Sequence, residues 1–317
     1  MSSAILTATT TTTMSTKSLI VIVGPTGSGK TDLSIAVAEH FAAPIISTDS
    51  RQFYRGIPIG TAQPDEEQLQ RVEHHFIASH DLTDEFNCGA YEVAALKRLE
   101  ELFERHDVVV AVGGSGLYVK ALCEGMDDMP EADAEVRQQL AERLENEGLE
   151  ALAEELRERD SKFYEVVDRK NPARVLRALE VCITTGKPYS SLRRGEVRER
   201  PFNIVKIGTD MPREVLYERI DRRVDMMIAE GLEQEARAVY HLRELNSLQT
   251  VGYREMFEYF DGTISREEAI ELIKRNSRRY AKRQLTWFRR DADIRWFHPA
   301  QKQQVVEYLE ANICTLK

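Results

Sequence analysis

The residues of this chain best suited to chemistry lie in a glycine-rich loop that follows an apolar run. Leu19-Ile-Val-Ile-Val23 is followed by Gly24-Pro-Thr-Gly-Ser-Gly-Lys-Thr31, the Gly-x-x-x-x-Gly-Lys-Thr pattern of a phosphate-binding loop. Its glycines let backbone N–H groups curl around phosphate oxygens, Lys30 adds a positive charge, and the Thr31 hydroxyl can coordinate Mg²⁺. A helix predicted over 32–41 adds a dipole that favours an anion. The sequence therefore predicts an oligophosphate ligand and leaves the reaction open.

A carboxylate and a second glycine-rich turn follow the next two predicted strands. Asp49 ends a strand predicted over 43–49, and a carboxylate near donor phosphates can act as a general base or a Mg²⁺ ligand. The alternative is an aspartate that caps a helix or a turn. A strand predicted over 107–112 ends in Gly113-Gly-Ser-Gly116, without the acidic residue typical of ATP-hydrolysing enzymes. This pattern disfavours a motor or a GTPase switch.

A basic segment near the C-terminus is the clearest candidate for a binding surface. Residues 274–290 hold eight basic residues and no acidic one, with Tyr280, Trp287 and Phe288 among them, in a chain of net charge −10. Positive charge interleaved with aromatic rings favours a polyanion whose bases can stack, as in single-stranded RNA. The alternative is a solvated helix whose aromatic side chains point inward.

The elements that must position these residues alternate between strand and helix. Apolar strands separated by helices predict a parallel sheet covered on both faces, with ligands beyond the carboxyl ends of the strands. Residues 131–165 are acidic and helical in pattern, a strand returns over 202–208, and a last short strand is predicted over 294–297. We therefore expect an α/β fold, a P-loop NTPase-like parallel sheet flanked by helices with a helical insertion. The predicted ranges are a disordered tail over 1–17, a core over 18–127 and 201–317 with C-terminal RNA-binding helices, and an insertion over 128–200, with Met14 as an alternative start.

Composition narrows the class of protein further. The chain has 317 residues, 42% hydrophobic and 30% charged, enough for one large or two modest domains. No C-x-x-C spacing links the cysteines, so reduced thiols are expected at Cys88, Cys123, Cys182 and Cys314. His74, His75 and His80 are expected to be structural. No apolar stretch approaches the ~18 residues of a membrane span, so we expect a cytoplasmic protein without a membrane partner.

Taken in order, the motifs resemble those of the bacterial tRNA dimethylallyltransferases, also called isopentenyl-tRNA transferases. The resemblance runs from about Leu19 to Phe297 and includes the phosphate-binding loop. Its other motifs are Asp49-Ser-Arg-Gln-Phe-Tyr-Arg-Gly56, Ile59-Gly-Thr-Ala62, Val112-Gly-Gly-Ser-Gly-Leu-Tyr118, Asn171-Pro-Ala-Arg-Val-Leu-Arg-Ala-Leu-Glu180, Val251-Gly-Tyr-Arg-Glu255 and Lys282-Arg-Gln-Leu-Thr-Trp287. The family moves a dimethylallyl group from dimethylallyl diphosphate to N6 of adenine-37, next to the anticodon of tRNA.

The resemblance implies a role for each matching residue in the chemistry. Asp49 would take the N6 proton, Ser115 would lie beside the acceptor and the bridging oxygen, and Lys30 would bind the diphosphate. Mg²⁺ would be the cofactor, with Thr31 as its ligand. The residues implied for the donor diphosphate are Gly24, Pro25, Thr26, Gly27, Ser28, Gly29, Lys30, Thr31 and Arg223. Arg219 and Arg223 form a recurring pair for which diphosphate binding and core pairing are both open.

The resemblance also implies the partners, which are the anticodon stem-loop of tRNA and dimethylallyl diphosphate, with the enzyme acting as a monomer. The residues implied for tRNA are Asp49, Ser50, Arg51, Gln52, Ser115, Arg137, Ala173, Arg174, Val175, Leu176, Arg177, Gln249, Thr250, Val251, Gly252, Tyr253, Arg254, Lys282, Arg283, Gln284, Leu285, Thr286, Trp287, Phe288 and Arg289. Three positions depart from the family: Gly27 replaces Ala, Ser115 replaces Thr, and Phe53 replaces a smaller aliphatic residue. We expect Phe53 to alter the fit around the adenine.

Two other functions stay open from the residues alone. A small-molecule or nucleotide kinase would use the same phosphate-binding loop but would leave the basic segment unexplained. A non-catalytic RNA-binding switch that responds to a nucleotide would leave Asp49 without a role.

Overall fold

The computed structural model describes residues 17–130 and 133–313. The tail predicted over 1–17 lies outside the described residues except for Lys17, and so does Cys314. The chain forms two compact units, of which the second spans Glu124–Arg198 and the first comprises the chain on either side of it. The sequence predicts an insertion over 128–200 at this place.

A six-stranded sheet with the order β3-β2-β4-β1-β5-β6 forms the centre of the first unit. Every pair of neighbouring strands is parallel, which confirms the predicted α/β fold. The strands are β1 (Ser18–Val23), β2 (Ile45–Ser47), β3 (His74–His75), β4 (Val108–Gly113), β5 (Asn203–Thr209) and β6 (Arg295–Phe297).

Strand β1 shows why the sequence reads as one continuous apolar run. Leu19 and Val21 belong to the hydrophobic core on one face of the sheet, and Ile20 and Ile22 belong to the core on the other face. All four side chains are fully buried. A strand covered by helices on both faces has no solvated side, so it carries no alternation of polar and apolar residues.

Helices make up most of the remaining chain. In chain order they are α1 (Lys30–His40), α2 (Pro58–Thr61), α3 (Glu66–Arg71), α4 (Cys88–Phe103), α5 (Gly116–Glu124), α6 (Ala134–Arg159), α7 (Ser161–Tyr164), α8 (Pro172–Thr185), α9 (Tyr189–Leu192), α10 (Arg213–Glu230), α11 (Leu232–Val239), α12 (Tyr253–Phe260), α13 (Arg266–Phe288) and α14 (Lys302–Asn312). Within residues 17–130 and 133–313, no helix combines the length and the apolar character that a membrane crossing requires.

The second unit is helical and has its own core. Helix α6 is broken at Gly148, which adopts a left-handed φ of 82°. Leu152 and Leu156 of α6 pack against Val175 and Leu179 of α8. A hydrophobic core confined to this segment is what an independently folded insertion requires.

Candidate active site

Three functional segments meet at the carboxyl ends of neighbouring strands. Strand β1 lies beside β4, and β4 lies beside β2, so the loops that follow these strands are adjacent. They carry the phosphate-binding loop, Ser115 and Asp49. A cavity of about 130 Å³ opens here, and its lining includes Lys30, Thr31, Asp49, Arg223, Tyr280 and Gln284.

Side chains from distant parts of the chain fix the phosphate-binding loop. The hydroxyls of Ser28 and Thr209 share a hydrogen bond of 2.6 Å. Nε of Arg219 donates to the carbonyl of Gly27 over 2.9 Å. The loop then ends at Gly29, whose left-handed conformation (φ 82°) starts α1 at Lys30. Arg219 therefore supports the loop, and its binding of the diphosphate stays a prediction.

The cavity is electropositive where the loop faces it. Burial lowers the pKa of Lys30 to about 8, the nearby Asp49 opposes this shift, and Arg223 adds to it. Burial also lowers the pKa of Arg223, and the negative charge of Asp49 again opposes the shift. The cavity therefore holds two buried cations and one carboxylate. The negative charge of a bound oligophosphate would offset the remaining positive charge.

Asp49 combines a turn contact with exposure to the cavity. Its Oδ1 accepts a hydrogen bond from the backbone N–H of Arg51 at 3.1 Å. Its Oδ2 accepts no hydrogen bond from the part of the chain that the structure describes. The turn-capping alternative is thus correct for one oxygen, and the other remains available to a ligand.

Ser115 and Ser50 join the loops that follow β4 and β2. The Ser115 hydroxyl accepts from the backbone N–H of Ser50 at 3.0 Å and donates to the Ser50 hydroxyl at 3.1 Å. These contacts fix the serine rotamer, a role that the methyl group of threonine would otherwise have.

Tyr280 is a site residue that sequence reasoning missed. It lines the cavity, and burial together with the charge of Asp49 raises its pKa to about 12. Tyr280 is therefore a neutral hydroxyl over the physiological pH range. It lies four residues before Gln284, and this helical spacing on the buried face of α13 is the signal that could have identified it.

Two residues predicted to bind tRNA, Arg51 and Gln52, hydrogen-bond to backbone carbonyls of the chain itself. The amide of Gln52 donates to the carbonyl of Ala62 at 2.7 Å, and the guanidinium of Arg51 donates to the carbonyl of Asn246 at 2.7 Å. Phe53 is fully buried and stacks on Tyr91 with ring centroids 5.3 Å apart. Phe53 is not among the residues that line the cavity, and its effect on the fit around the adenine stays a prediction.

The residues predicted to bind tRNA differ in how far they are exposed. Thr250, Val251 and Gly252 line the cavity. The side chains of Val175, Tyr253, Gln284 and Phe288 are buried, and their contact with tRNA stays a prediction. The exposed residues of the set are Arg137, Ala173, Arg174, Gln249, Arg254, Lys282, Arg283, Thr286, Trp287 and Arg289. In the second unit, Arg137 and Arg177 both pair with the buried carboxylate of Glu180.

Helix α13 divides the basic segment into a structural part and a surface part. Lys274 pairs with Asp225 at 2.7 Å, and Arg278 pairs with Asp221, both on α10. Four other basic side chains are exposed on α13 and make no ion pair with the described residues: Arg275, Arg279, Lys282 and Arg283. We call these four residues the basic surface. Tyr280 and Phe288 point inward, as the solvated-helix alternative proposed, whereas Trp287 is 39% exposed.

Fold and site together define an α/β enzyme in which a phosphate-binding loop and a carboxylate line one cavity. The model of the IPP transferase family matches residues 52–291, and the chain belongs to that family. The match begins after the phosphate-binding loop and Asp49. The assignment of those residues to the site therefore depends on their motif and their geometry. The chain is thus an enzyme of the prenyltransferase class, and the kinase alternative is not favoured.

Individual relatives are similar over nearly the whole chain. The tRNA dimethylallyltransferase 1 of Bacteroides fragilis is 52% identical, with 95% of this chain and 100% of that protein covered. Among solved structures, the tRNA isopentenylpyrophosphate transferase of Bacillus halodurans is 38% identical with a TM-score of 0.70, covering 94% of this chain and 97% of that one. A eukaryotic dimethylallyltransferase studied acting on tRNA is 26% identical with a TM-score of 0.75, covering 93% of this chain and 76% of that one.

Proposed function

We propose that this enzyme transfers a dimethylallyl group from dimethylallyl diphosphate to N6 of adenine-37 in the anticodon stem-loop of tRNA. The observation that carries the proposal is one cavity in which Lys30 and Arg223 face the Asp49 carboxylate. The cations suit the donor diphosphate, and the carboxylate suits an acceptor that must lose a proton.

The cavity also has an apolar wall, which suits the apolar part of the donor. Val224, Met227, Leu232 and Ile273 line it alongside the polar groups. An isoprenoid chain gains free energy when such a wall removes it from water, and a nucleoside does not require one. The wall therefore favours a prenyl diphosphate over a nucleotide donor.

Mg²⁺ fits the polar end of the cavity. The Thr31 hydroxyl and the Asp49 carboxylate are both in the lining, and Mg²⁺ characteristically takes one or two protein oxygens together with substrate phosphates and water. When bound, the ion would neutralise part of the diphosphate charge. We propose Thr31 as its protein ligand.

The reaction then follows from the positions of these groups. The C1–O bond of the donor breaks with its electron pair going to the diphosphate, N6 forms the new bond to C1, and the N6 proton passes to Asp49. Lys30, Arg223 and the loop N–H groups stabilise the charge that develops on the leaving diphosphate. The adenine must leave its base stack to reach Asp49.

The acceptor RNA is proposed to bind the basic surface of α13. Its four exposed cations lie on the same helix as Tyr280 and Gln284, which face the cavity. We further propose that the enzyme acts as a monomer, since one chain supplies every group of the cavity, and that it works in the cytoplasm, where tRNA is found.

The proposal is tested by the choice of donor. Purified enzyme is incubated with bulk tRNA and either labelled dimethylallyl diphosphate or γ-labelled ATP. We expect label in tRNA only from the prenyl donor. Label transferred from ATP to any acceptor would favour the kinase, and RNA binding without transfer from either donor would favour the switch.

A further inference from the structure

Gln284 occupies a place in the site that its predicted contact with RNA does not explain. Its side chain is buried at 6% exposure, on the inner face of the helix that carries the basic surface. Its Oε1 accepts from the backbone N–H of Thr26 at 2.9 Å, and its Nε2 donates to the carbonyl of Gly114 at 2.9 Å. One amide thus links the donor loop to the residue that precedes Ser115.

The neighbourhood is shaped around this amide. A Cβ built on Gly114 would lie 2.1 Å from Nε2 of Gln284 and 3.4 Å from the carbonyl of Gly24. The backbone of Gly114 is not in the left-handed region, so its conformation does not itself require glycine. The glycine is therefore needed because the amide occupies the space in which a side chain would lie.

A neutral amide satisfies both partners. One partner is a donor and the other an acceptor, so the bridge needs an acceptor and a donor at the end of one chain. A carboxylate offers acceptors only, and it would face the Gly114 carbonyl and add negative charge beside the donor diphosphate. A bridge with these demands must be neutral.

We propose that Gln284 is a positioning residue for the donor, which holds the phosphate-binding loop and the Ser115 loop at a fixed separation as a neutral amide. This inference rests on the proposed function, because the donor diphosphate is the ligand that the two loops share. Gln284 acts through Thr26 and Gly114 and makes no contact with RNA.

The first test is the pH dependence of Gln284→Glu. At pH 8 we expect the KM for dimethylallyl diphosphate to rise by ~10- to 100-fold, since one bridging hydrogen bond is lost and a charge is added. Burial favours the neutral acid of the new side chain, whose O–H can donate to Gly114 while its carbonyl accepts from Thr26. The ratio of variant KM to wild-type KM should therefore shrink as the pH falls towards ~5.5, while the KM for tRNA stays unchanged.

Asn276→Asp supplies the matched control on the same helix. The Asn276 amide donates to Glu255 at 2.8 Å and does not line the cavity. The same change of amide to carboxylate should alter thermal stability with pH but leave the donor KM ratio flat. A constant ratio for Gln284→Glu, or a shift in the KM for tRNA in place of the donor, would overturn the inference.

A double-mutant cycle provides an independent measurement. Gly114→Ala alone should displace the amide and raise the donor KM, and Gln284→Ala alone should raise it by removing the amide. In the double variant the donor KM should rise by less than the product of the two single increases, because the space at position 114 is then open. Additive losses would show that Gly114 and Gln284 act separately. A wild-type enzyme that does not prenylate tRNA would defeat the proposed function, whereas these outcomes defeat the bridge alone.

Discussion

At the scale of single residues, the site contains buried cations. Burial disfavours their charged forms, and a bound diphosphate would stabilise them. Lys30 and Arg223 are cations whose burial disfavours the charged form, and Asp49 is their shared counter-charge. A diphosphate would add the negative charge that they lack. Binding and proton uptake are therefore linked at this site.

The first prediction concerns Lys30 and pH. In the free enzyme burial holds the pKa of Lys30 at about 8, and a bound diphosphate raises it by adding negative charge. Binding then takes up a proton above that pKa, so affinity for inorganic diphosphate should fall as the pH rises past it, by up to ~10-fold per pH unit. Calorimetry between pH 7 and 9.5 measures this. Lys30→Arg, whose charge does not titrate there, is the control, and a flat wild-type profile would contradict the assignment.

The second prediction concerns Asp49. Asp49→Asn keeps the size and the turn contact with Arg51 but removes the proton acceptor. Turnover should fall by ~10²- to 10⁴-fold, the usual contribution of a general base, with little change in tRNA binding. Single-turnover kinetics and RNA titration measure the two effects. Near-normal turnover would leave Asp49 a turn residue, and loss of Mg²⁺-dependent donor binding would make it chiefly a metal ligand.

At the scale of elements, helix α13 presents two different faces. Its inner face supplies Tyr280 and Gln284 to the cavity, and its outer face carries the basic surface. The ion pairs of Lys274 and Arg278 with α10 hold the helix in place between these roles. A basic segment that looks uniform in the sequence is thus divided by the fold.

The third prediction separates the two kinds of basic residue. Arg279→Ala with Lys282→Ala should weaken tRNA binding and flatten its salt dependence, by up to ~0.9 in the slope of log K against log salt for each lost phosphate contact. Arg278→Ala, which breaks the pair with Asp221, should lower thermal stability and leave that slope unchanged. Filter binding over a salt series measures both. Equal slopes for the wild type, the double variant and Arg278→Ala would show that the basic surface makes no phosphate contacts.

What the sequence could predict follows from how local each feature is. The phosphate-binding loop, β1 and the Asp49 turn depend on residues a few positions apart, so their patterns predicted them. Strand β3 is two residues long and depends on pairing with β2, which no local pattern shows. The Gln284 bridge joins Thr26 across 258 positions and Gly114 across 170. Contacts at such separations depend on the whole fold.

At the scale of the whole molecule, the chain places a second helical unit between two halves of the core. The ends of that unit meet, since the N–H of Arg198 donates to the carbonyl of Glu124 at 2.7 Å. The first unit closes its own chain ends through Arg200, which pairs with the buried Glu92 and donates to the carbonyl of Leu122. Each unit therefore brings its own chain ends together.

The fourth prediction tests this division. Replacing Glu124–Arg198 by a short Gly/Ser linker should leave cooperative unfolding and binding of inorganic diphosphate measurable, because the cavity lining lies in the first unit. Prenylation of tRNA should be abolished, because Arg137 and Arg177 are removed. Near-normal prenylation by the shortened enzyme would show that the second unit has no part in substrate capture.

The most direct test of the account is the fate of the adenine itself. An anticodon stem-loop RNA is incubated with enzyme, Mg²⁺ and dimethylallyl diphosphate, then digested to nucleosides and analysed by mass spectrometry. The account predicts an adenosine carrying one added C₅H₈ unit on N6, formed from RNA with adenine-37 and absent when guanine replaces that base. Modification of another nucleoside, or an RNA that stays unmodified while the donor is consumed, would contradict it.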